Sequence, residues 1–384
     1  MISTQYSNIK NIQIAQELKS TPSICLLHHT LAALGGEERM HALLANALKS
    51  RGYDVISVMT EQFSNEKNIY ELDKGIRQYS LQRNRVERKL NKWFPRLQVW
   101  RYRHVLKKHH VKVVIDVGSP KSLLTTKAVE GLDMKVVCWD HFNYESFRKR
   151  WCYDDLIKLI ITGKIHRLVV LTQADVKSYS QNEVFPKGVV CQIYNPSPIQ
   201  TKAYMKHTSK KVLACGRLHQ QKGFDLLLDA WKEVEQQHSD WQLEIVGDGP
   251  QRQELEQQVE NNQLRRVTIS HFTSHIKEKY AEAGIFVMSS RYEGFPLVLL
   301  EATNMSLPMV SFNCKTGPAE IIQDGYNGYL AEAENAHDLA ENLLAVMKED
   351  KLREQMGRNA FEVSRQFLTD RIIDQWEDLI NQLL

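Results

Sequence analysis

The sequence predicts an α/β protein built from two successive parallel-sheet units. Three observations carry that reading. Strand-like apolar runs alternate with helical segments from residue 23 onward, the alternation stops near residue 200 and restarts, and 384 residues exceed what one hydrophobic core ordinarily supports.

In the first half, "SICLLHH", "DVISVMT", "VKVVIDVG", "MKVVCWDHF" and "HRLVVLT" are short and β-branched, as buried strands are. Between the first two, "ERMHALLANALKSRG" has helical periodicity. After "VCQIYNPSPI" comes the polar, proline-flanked "QTKAYMKHTSK", which predicts a linker. The second half repeats the pattern with "KVLACGRL", "WQLEIVGDG", "RVTISHF", "GIFVMSS", "LPMVSFN" and "GYLAEA" as strands. "GFDLLLDAWKEVEQQ" and "PQRQELEQQVENNQ" are helices between them. The expected division is a first domain over 1–197, a linker over 198–209, a second domain over 210–365 and a C-terminal helix over 366–384. Ile372, Ile373, Trp376, Leu379, Ile380 and Leu383 share one face of that helix, so it must dock, and it is placed to bridge the two domains.

Net charge is only +4, so the chain is not basic throughout. Its positive charge is local. Arg83, Arg85, Arg88, Lys89, Lys92, Arg96, Arg101, Arg103, Lys107, Lys108 and Lys112 face only Glu87, interleaved with Trp93, Phe94, Trp100 and Tyr102. Three readings stay open for this stretch: a solvated helix face, attraction to an anionic membrane or phosphorylated glycan, and a nucleic-acid surface, the last without any nucleic-acid fold signature. The six cysteines form no C-x-x-C pair and sit in or beside apolar runs, which points to a reducing cytosol. The first twenty residues lack an apolar leader core, and no apolar run reaches membrane-spanning length. The expected location is therefore cytoplasmic, with any membrane association peripheral on the inner face.

The chemistry concentrates at strand-to-helix loops. In "SSRYEGFPLVLLEA" the strand ends at the serines, Glu293 lies in the loop, Pro296 suits the first position of a helix, and Glu301 falls inside it among Leu297, Val298 and Ala302. A carboxylate in such apolar company needs a committed partner. A ribose diol would satisfy Glu301, and the unpaired N–H groups of the helix start at 294–298 would receive an anion, so a nucleotide meets both demands. "GRLHQQKGFD" places Arg217 and Lys222 in another loop after a strand, where paired cations suit a diphosphate and where two solvated surface cations are the plain alternative. Gly35 and Gly36 lie between the first strand and first helix, as a close-approach site or a tight turn. "VGDGP" reads as a structural turn, since the third glycine of a dinucleotide fingerprint is missing. His141 and the loop "KTGPAEII" also follow strands.

Taken together, Gly35-Gly36, Arg217 with Lys222, and the E-x7-E spacing of Glu293 and Glu301 resemble the retaining glycosyltransferases of family 4. The resemblance extends over nearly the whole chain through "GGEERMHALLANALKSRGYDV", "GRLHQQKGFDLLLDAW", "IVGDGPQRQELE" and "TGPAEIIQDGYNGYL". It implies a GT-B architecture, two facing Rossmann-like domains, with the nucleotide sugar held mainly by the C-terminal domain and the acceptor by the N-terminal one. It further implies that Arg217 and Lys222 neutralise the donor diphosphate and Glu301 holds the ribose hydroxyls. Glu293 with the Gly294, Phe295, Pro296, Leu297 and Val298 segment would contact sugar and phosphate. His141, in the variant context "DHFN", matches a histidine near the donor sugar, and His271 stands where the family commonly has glycine. Uridine is the expected base.

With no Asp-x-Asp motif between the domains, neither a metal nor another cofactor is expected. The flavour of the motifs is similar to bacterial transferases that extend lipopolysaccharide, O-antigen and capsule, which implies a lipid-linked or lipopolysaccharide-type glycan acceptor. A sugar-nucleotide epimerase or a phosphorylase uses the same two-domain fold and is the alternative enzyme class. A nucleic-acid-binding protein acting through 83–112 is the non-enzymatic one.

Overall fold

A computed structural model of the chain describes residues 22–63 and 65–384. The first twenty residues, read above for a leader core, lie outside the described residues.

The first sheet contains β1 (Ser23–His28), β2 (Asp54–Met59), β3 (Arg77–Ser80), β4 (Val111–Val117), β5 (Lys135–Trp139), β6 (Arg167–Val170) and β7 (Val190–Gln192), in the order β3-β2-β1-β4-β5-β6-β7. Leu26 of β1 stands opposite Ser57 of β2 and Ile115 of β4, both in parallel register. All six residues of β1 are buried, because helices cover both faces of a parallel sheet. The second sheet contains β8 (Lys211–Cys215), β9 (Gln242–Val246), β10 (Val267–Ser270), β11 (Ile285–Met288), β12 (Met309–Phe312) and β13 (Gly328–Ala331), in the order β10-β9-β8-β11-β12-β13. The α/β class and the strand segments read from sequence are present. β3 is not among those segments: "RQYS" is a polar, largely solvent-facing edge strand, paired to β2 through backbone and so without an apolar signature.

The helices follow the strands: α1 (Gly36–Ser50), α2 (Arg85–Trp93), α3 (Pro95–Lys108), α4 (Ser122–Ala128), α5 (Tyr144–Arg148), α6 (Tyr153–Ile161) and α7 (Gln173–Asn182) in the first half. In the second half come α8 (Phe224–Gln237), α9 (Arg252–Asn261), α10 (Ile276–Glu282), α11 (Leu297–Asn304), α12 (Pro318–Ile321), α13 (Ala336–Lys348), α14 (Asp350–Ser364) and α15 (Thr369–Leu383). Amphipathic helices bury one stripe: in α8, Leu227, Leu228, Trp231 and Val234 join Val212, Ala214 and Ile245 of the sheet in one core. Among the described residues no helix is long and apolar enough to cross a membrane.

By contacts the chain divides into two compact units. One comprises the described residues up to Trp139, Asp155–Arg167 and Leu379–Leu384, and the other Asp140–Asp154 and Leu168–Asp378. This division differs from a boundary near 197. Residues before 197 bond to the body of the second unit, Asn143 Nδ2 to Glu293 O (2.9 Å) and the Tyr194 hydroxyl to Glu320 Oε2 (2.8 Å), and in the segment expected to be a linker Thr201 Oγ1 donates to Asn304 O (2.6 Å) and Met205 N to Ser306 Oγ (3.1 Å). Irregular backbone there is pinned to α11 and the turn that follows it.

Candidate active site

Within the second unit, β8 and β11 are neighbours although they are not consecutive in the chain. Loops leaving the carboxyl ends of such a pair diverge, and ligands of open α/β sheets bind in the crevice between them. Those two loops carry Arg217 with Lys222, and Glu293. Lys222 Nζ lies 2.6 Å from Glu293 Oε1, with both side chains largely buried.

Backbone fit brings the loops together. Gly223 adopts a left-handed conformation (φ 61°), and a Cβ there would stand 2.1 Å from Ser289 O. Ser289 Oγ donates to Lys222 O (2.9 Å) and Arg291 N to Gln221 O (2.8 Å). The Arg291 guanidinium grips Asp225 with two bonds of 2.8 and 2.6 Å. Partial burial works against the Asp225 charge, yet Arg291 holds its carboxyl below the usual range. "VGDGP" is a turn, as read, and it also backs this site: a Cβ at Gly247 would lie 1.9 Å from Gly216 O and one at Gly249 2.3 Å from Leu218 O. Arg217 itself is exposed, and among the described residues its guanidinium has no hydrogen-bond or ion-pair partner.

Glu293 is also held through its carbonyl, which accepts from Asn143 Nδ2 (2.9 Å) and Thr316 Oγ1 (2.7 Å). A Cβ at Gly294 would stand 2.3 Å from His141 O, so the segment after β5 lies directly against the Glu293 loop. Half-buried His141 is thereby brought beside it. Gly317 (φ 98°) closes on the same loop: a Cβ there would be 2.6 Å from Pro296 Cδ.

The helix start differs by one residue from expectation. α11 begins at Leu297, and Pro296 precedes it in an extended conformation (φ −73°, ψ 108°), with no side chain capping the end. Phe295 turns its ring into the core, stacked on Tyr194 at 5.1 Å, so only its backbone faces the loop's work. Leu297 and Val298 are half-buried on the first turn. Glu301 is buried and has a protein partner that the sequence reading lacked: Tyr280 on α10 donates to its Oε2 at 2.8 Å. Burial first, then the neighbouring Cys215 and Glu301, push the Tyr280 hydroxyl well above its ordinary value, so it remains a donor.

Gly35 and Gly36 lie in the first unit, at the start of α1. Gly35 is extended (φ −172°), a conformation open to any residue, and a Cβ there would meet the Glu38 carboxylate at 2.1 Å. His271, noted as a departure, is exposed with Nδ1 2.7 Å from Asp248 Oδ1. Asp248 also accepts from Phe272 N (2.8 Å), and these two donors hold its carboxyl at about 2. Sequence reasoning missed Tyr280, Asn143, Thr316, Asp225 and Arg291. Asn143, Asp225, Arg291 and Thr316 stand in segments already singled out, whereas Tyr280 stands in none of them.

Residues 198–363 match the family described as glycosyl transferases group 1. The amylovoran biosynthesis glycosyltransferase AmsD of Erwinia amylovora is 30% identical over 362 residues, 90% of this chain and 96% of AmsD. The chain belongs to the group 1 glycosyltransferases. A second relative of this glycosyltransferase, an N-acetyl-D-galactosaminyltransferase of Campylobacter jejuni named for a diphospho-undecaprenol-linked acceptor, is 25% identical over 91% of this chain and 96% of its own. Among solved structures, S. aureus TarM crystallised with UDP superposes with a TM-score of 0.77 at 17% identity, over 94% of this chain and all of TarM. Sucrose-phosphate synthase from Thermosynechococcus elongatus gives 0.78 at 19% identity, over 94% and 99%. At such identities the likeness is one of fold, and the fold of this glycosyltransferase is GT-B.

Proposed function

We propose that this glycosyltransferase transfers a hexose or N-acetylhexosamine from a nucleotide sugar, with UDP as carrier, to a glycan acceptor with retention of configuration and without a metal ion. The observation that carries the reading is the Lys222–Glu293 pair at the open end of α11, with Glu301 anchored by Tyr280 one turn further on. In this reading Arg217, Lys222 and the start of α11 receive the diphosphate, whose charge grows as the sugar leaves. Glu301 takes the ribose hydroxyls. Glu293 orients the sugar together with His141. The bond from the anomeric carbon to the phosphate oxygen breaks, the acceptor oxygen bonds to that carbon on the same face, and the acceptor's proton passes to the departing phosphate.

The names of relatives support a polysaccharide acceptor: AmsD acts in amylovoran biosynthesis, and a S. aureus relative, 28% identical over 63% of this chain, is a poly(ribitol-phosphate) α-N-acetylglucosaminyltransferase. We assign the chain to surface-polysaccharide synthesis on a lipid-linked glycan. The test is an NMR time course with a panel of nucleotide sugars and lipid-linked acceptors. The expected first product carries the donor's anomeric configuration, with no glycosyl-enzyme in mass spectra. The opposite anomer would overturn the mechanism, and donor consumption without acceptor would favour an epimerase or hydrolase.

A further inference from the structure

The basic stretch folds as α2 and α3 in the first unit, and α2 is inside out. Its inward residues are polar. Glu87 accepts from Arg83 N at 2.7 Å, and Asn91 Nδ2 donates to Leu81 O at 3.1 Å. Its apolar residues face water: Val86, Leu90 and Trp93 recur at i, i+4 and i+7 on one stripe, with Val86 66% and Trp93 80% exposed. The turn into α3 adds Phe94 and the first turns of α3 add Trp100, each 63% exposed. Arg85, Arg88, Lys89 and Arg96, all exposed, are interleaved with them.

An ordinary surface helix buries its apolar stripe and presents its charges. Here the apolar stripe and the cations share the outer surface. The core of a protein partner's interface is depleted in such charge, whereas the boundary layer of a bilayer takes aromatic rings and aliphatic chains below the headgroups and cations among them. Charge complementarity selects anionic lipid. We propose that Val86, Leu90, Trp93, Phe94 and Trp100 insert into the interfacial layer of a bilayer containing anionic phospholipid, with Arg85, Arg88, Lys89 and Arg96 among the headgroups. The surface deepens the proposed function by naming what brings the enzyme to a lipid-linked acceptor, and it rests on that reading for the acceptor alone.

Two arginines of the stretch are not part of this surface. Arg101 donates to Leu81 O (3.2 Å) and Arg103 to Ala128 O and Glu130 O (2.9 and 2.7 Å), so both hold the fold together.

Flotation of the full chain with phosphatidylcholine vesicles, with and without about one third phosphatidylglycerol, tests the proposal. Wild type should float only with the anionic vesicles at about 0.05 M salt and be largely released at about 0.5 M. Arg88→Glu/Lys89→Glu should weaken binding by about twenty-five-fold or more, at about fivefold per cation lost. Leu90→Ser/Trp93→Ser should weaken it at both salts while leaving the melting temperature and turnover on a water-soluble acceptor unchanged. Should the serine variant misfold, quenching of tryptophan fluorescence by brominated lipid, reduced in Trp93→Phe, supplies the same evidence. Absence of flotation at low salt, flotation indifferent to Leu90→Ser/Trp93→Ser, or full displacement by an oligonucleotide or a soluble phosphorylated oligosaccharide would overturn the proposal. Flotation of a protein that glycosylates no acceptor would leave this surface standing and sink the proposed function instead.

Discussion

Lys222 Nζ and Glu293 Oε1 stand 2.6 Å apart in a largely buried position, so each charge is compensated by the other. Removing one partner leaves an uncompensated buried charge, at a cost of about 3 kcal/mol. Lys222→Ala should therefore lower both the melting temperature and turnover, the latter by about two to three orders of magnitude. Adding Glu293→Gln should restore melting but not turnover. A double variant no more stable than Lys222→Ala would show that the pair is not coupled.

Tyr280 donates to the Glu301 carboxylate at 2.8 Å, and its hydroxyl also lies 3.2 Å from Val298 O. A hydrogen bond to a charged group contributes about 1.5 to 3 kcal/mol, so Tyr280→Phe should raise KM for the nucleotide sugar about tenfold and leave kcat nearly unchanged. With a donor lacking the ribose hydroxyls the variant and wild type should have the same KM. Equal effects on both donors would reduce Tyr280 to a packing residue.

Arg217 is the site's exposed cation, and its removal leaves no buried charge behind. Arg217→Ala should therefore keep the wild-type melting temperature while lowering turnover by about two orders of magnitude. EDTA should leave wild-type activity intact. Loss of activity in chelator, restored by magnesium or manganese, would refute neutralisation of the diphosphate by side chains.

Burial raises the Asp116 carboxyl to about 7, against donation from Thr125 and Ser122. An unfolded aspartate titrates near about 4. Between those values the folded state holds a proton that the unfolded state has released, so the Asp116 contribution to stability is greatest below about pH 4, falls as pH rises toward about 7 and is level above it. Asp116→Asn should flatten that slope in urea midpoints measured across the range. Parallel slopes for variant and wild type would place the titration elsewhere.

By itself the sequence determined the fold class and most of the candidate site. Buried parallel strands need near-continuous apolar runs and their loops need small or charged residues, so "SICLLHH", "KVLACGRLHQQKG" and "RYEGFPLVLLE" carry both messages in local composition. The tertiary structure decided what local pattern leaves open. Glu301 reads as a carboxylate without a neighbour because Tyr280 lies twenty-one positions away on another helix, and Asn143 meets the Glu293 carbonyl from 150 positions away. The strand β3 is held by backbone pairing, which leaves no mark in side-chain pattern, and the pinned segment after 197 is held by hydroxyls whose partners lie about a hundred positions away. The direction α2 faces was equally undetermined. Its periodicity gives an apolar stripe and polar neighbours, but only the contacts of Glu87 and Asn91 establish that the polar side is inward and the apolar stripe outward. An apolar stripe has a period in sequence, while inside and outside exist only once the rest of the chain is in place.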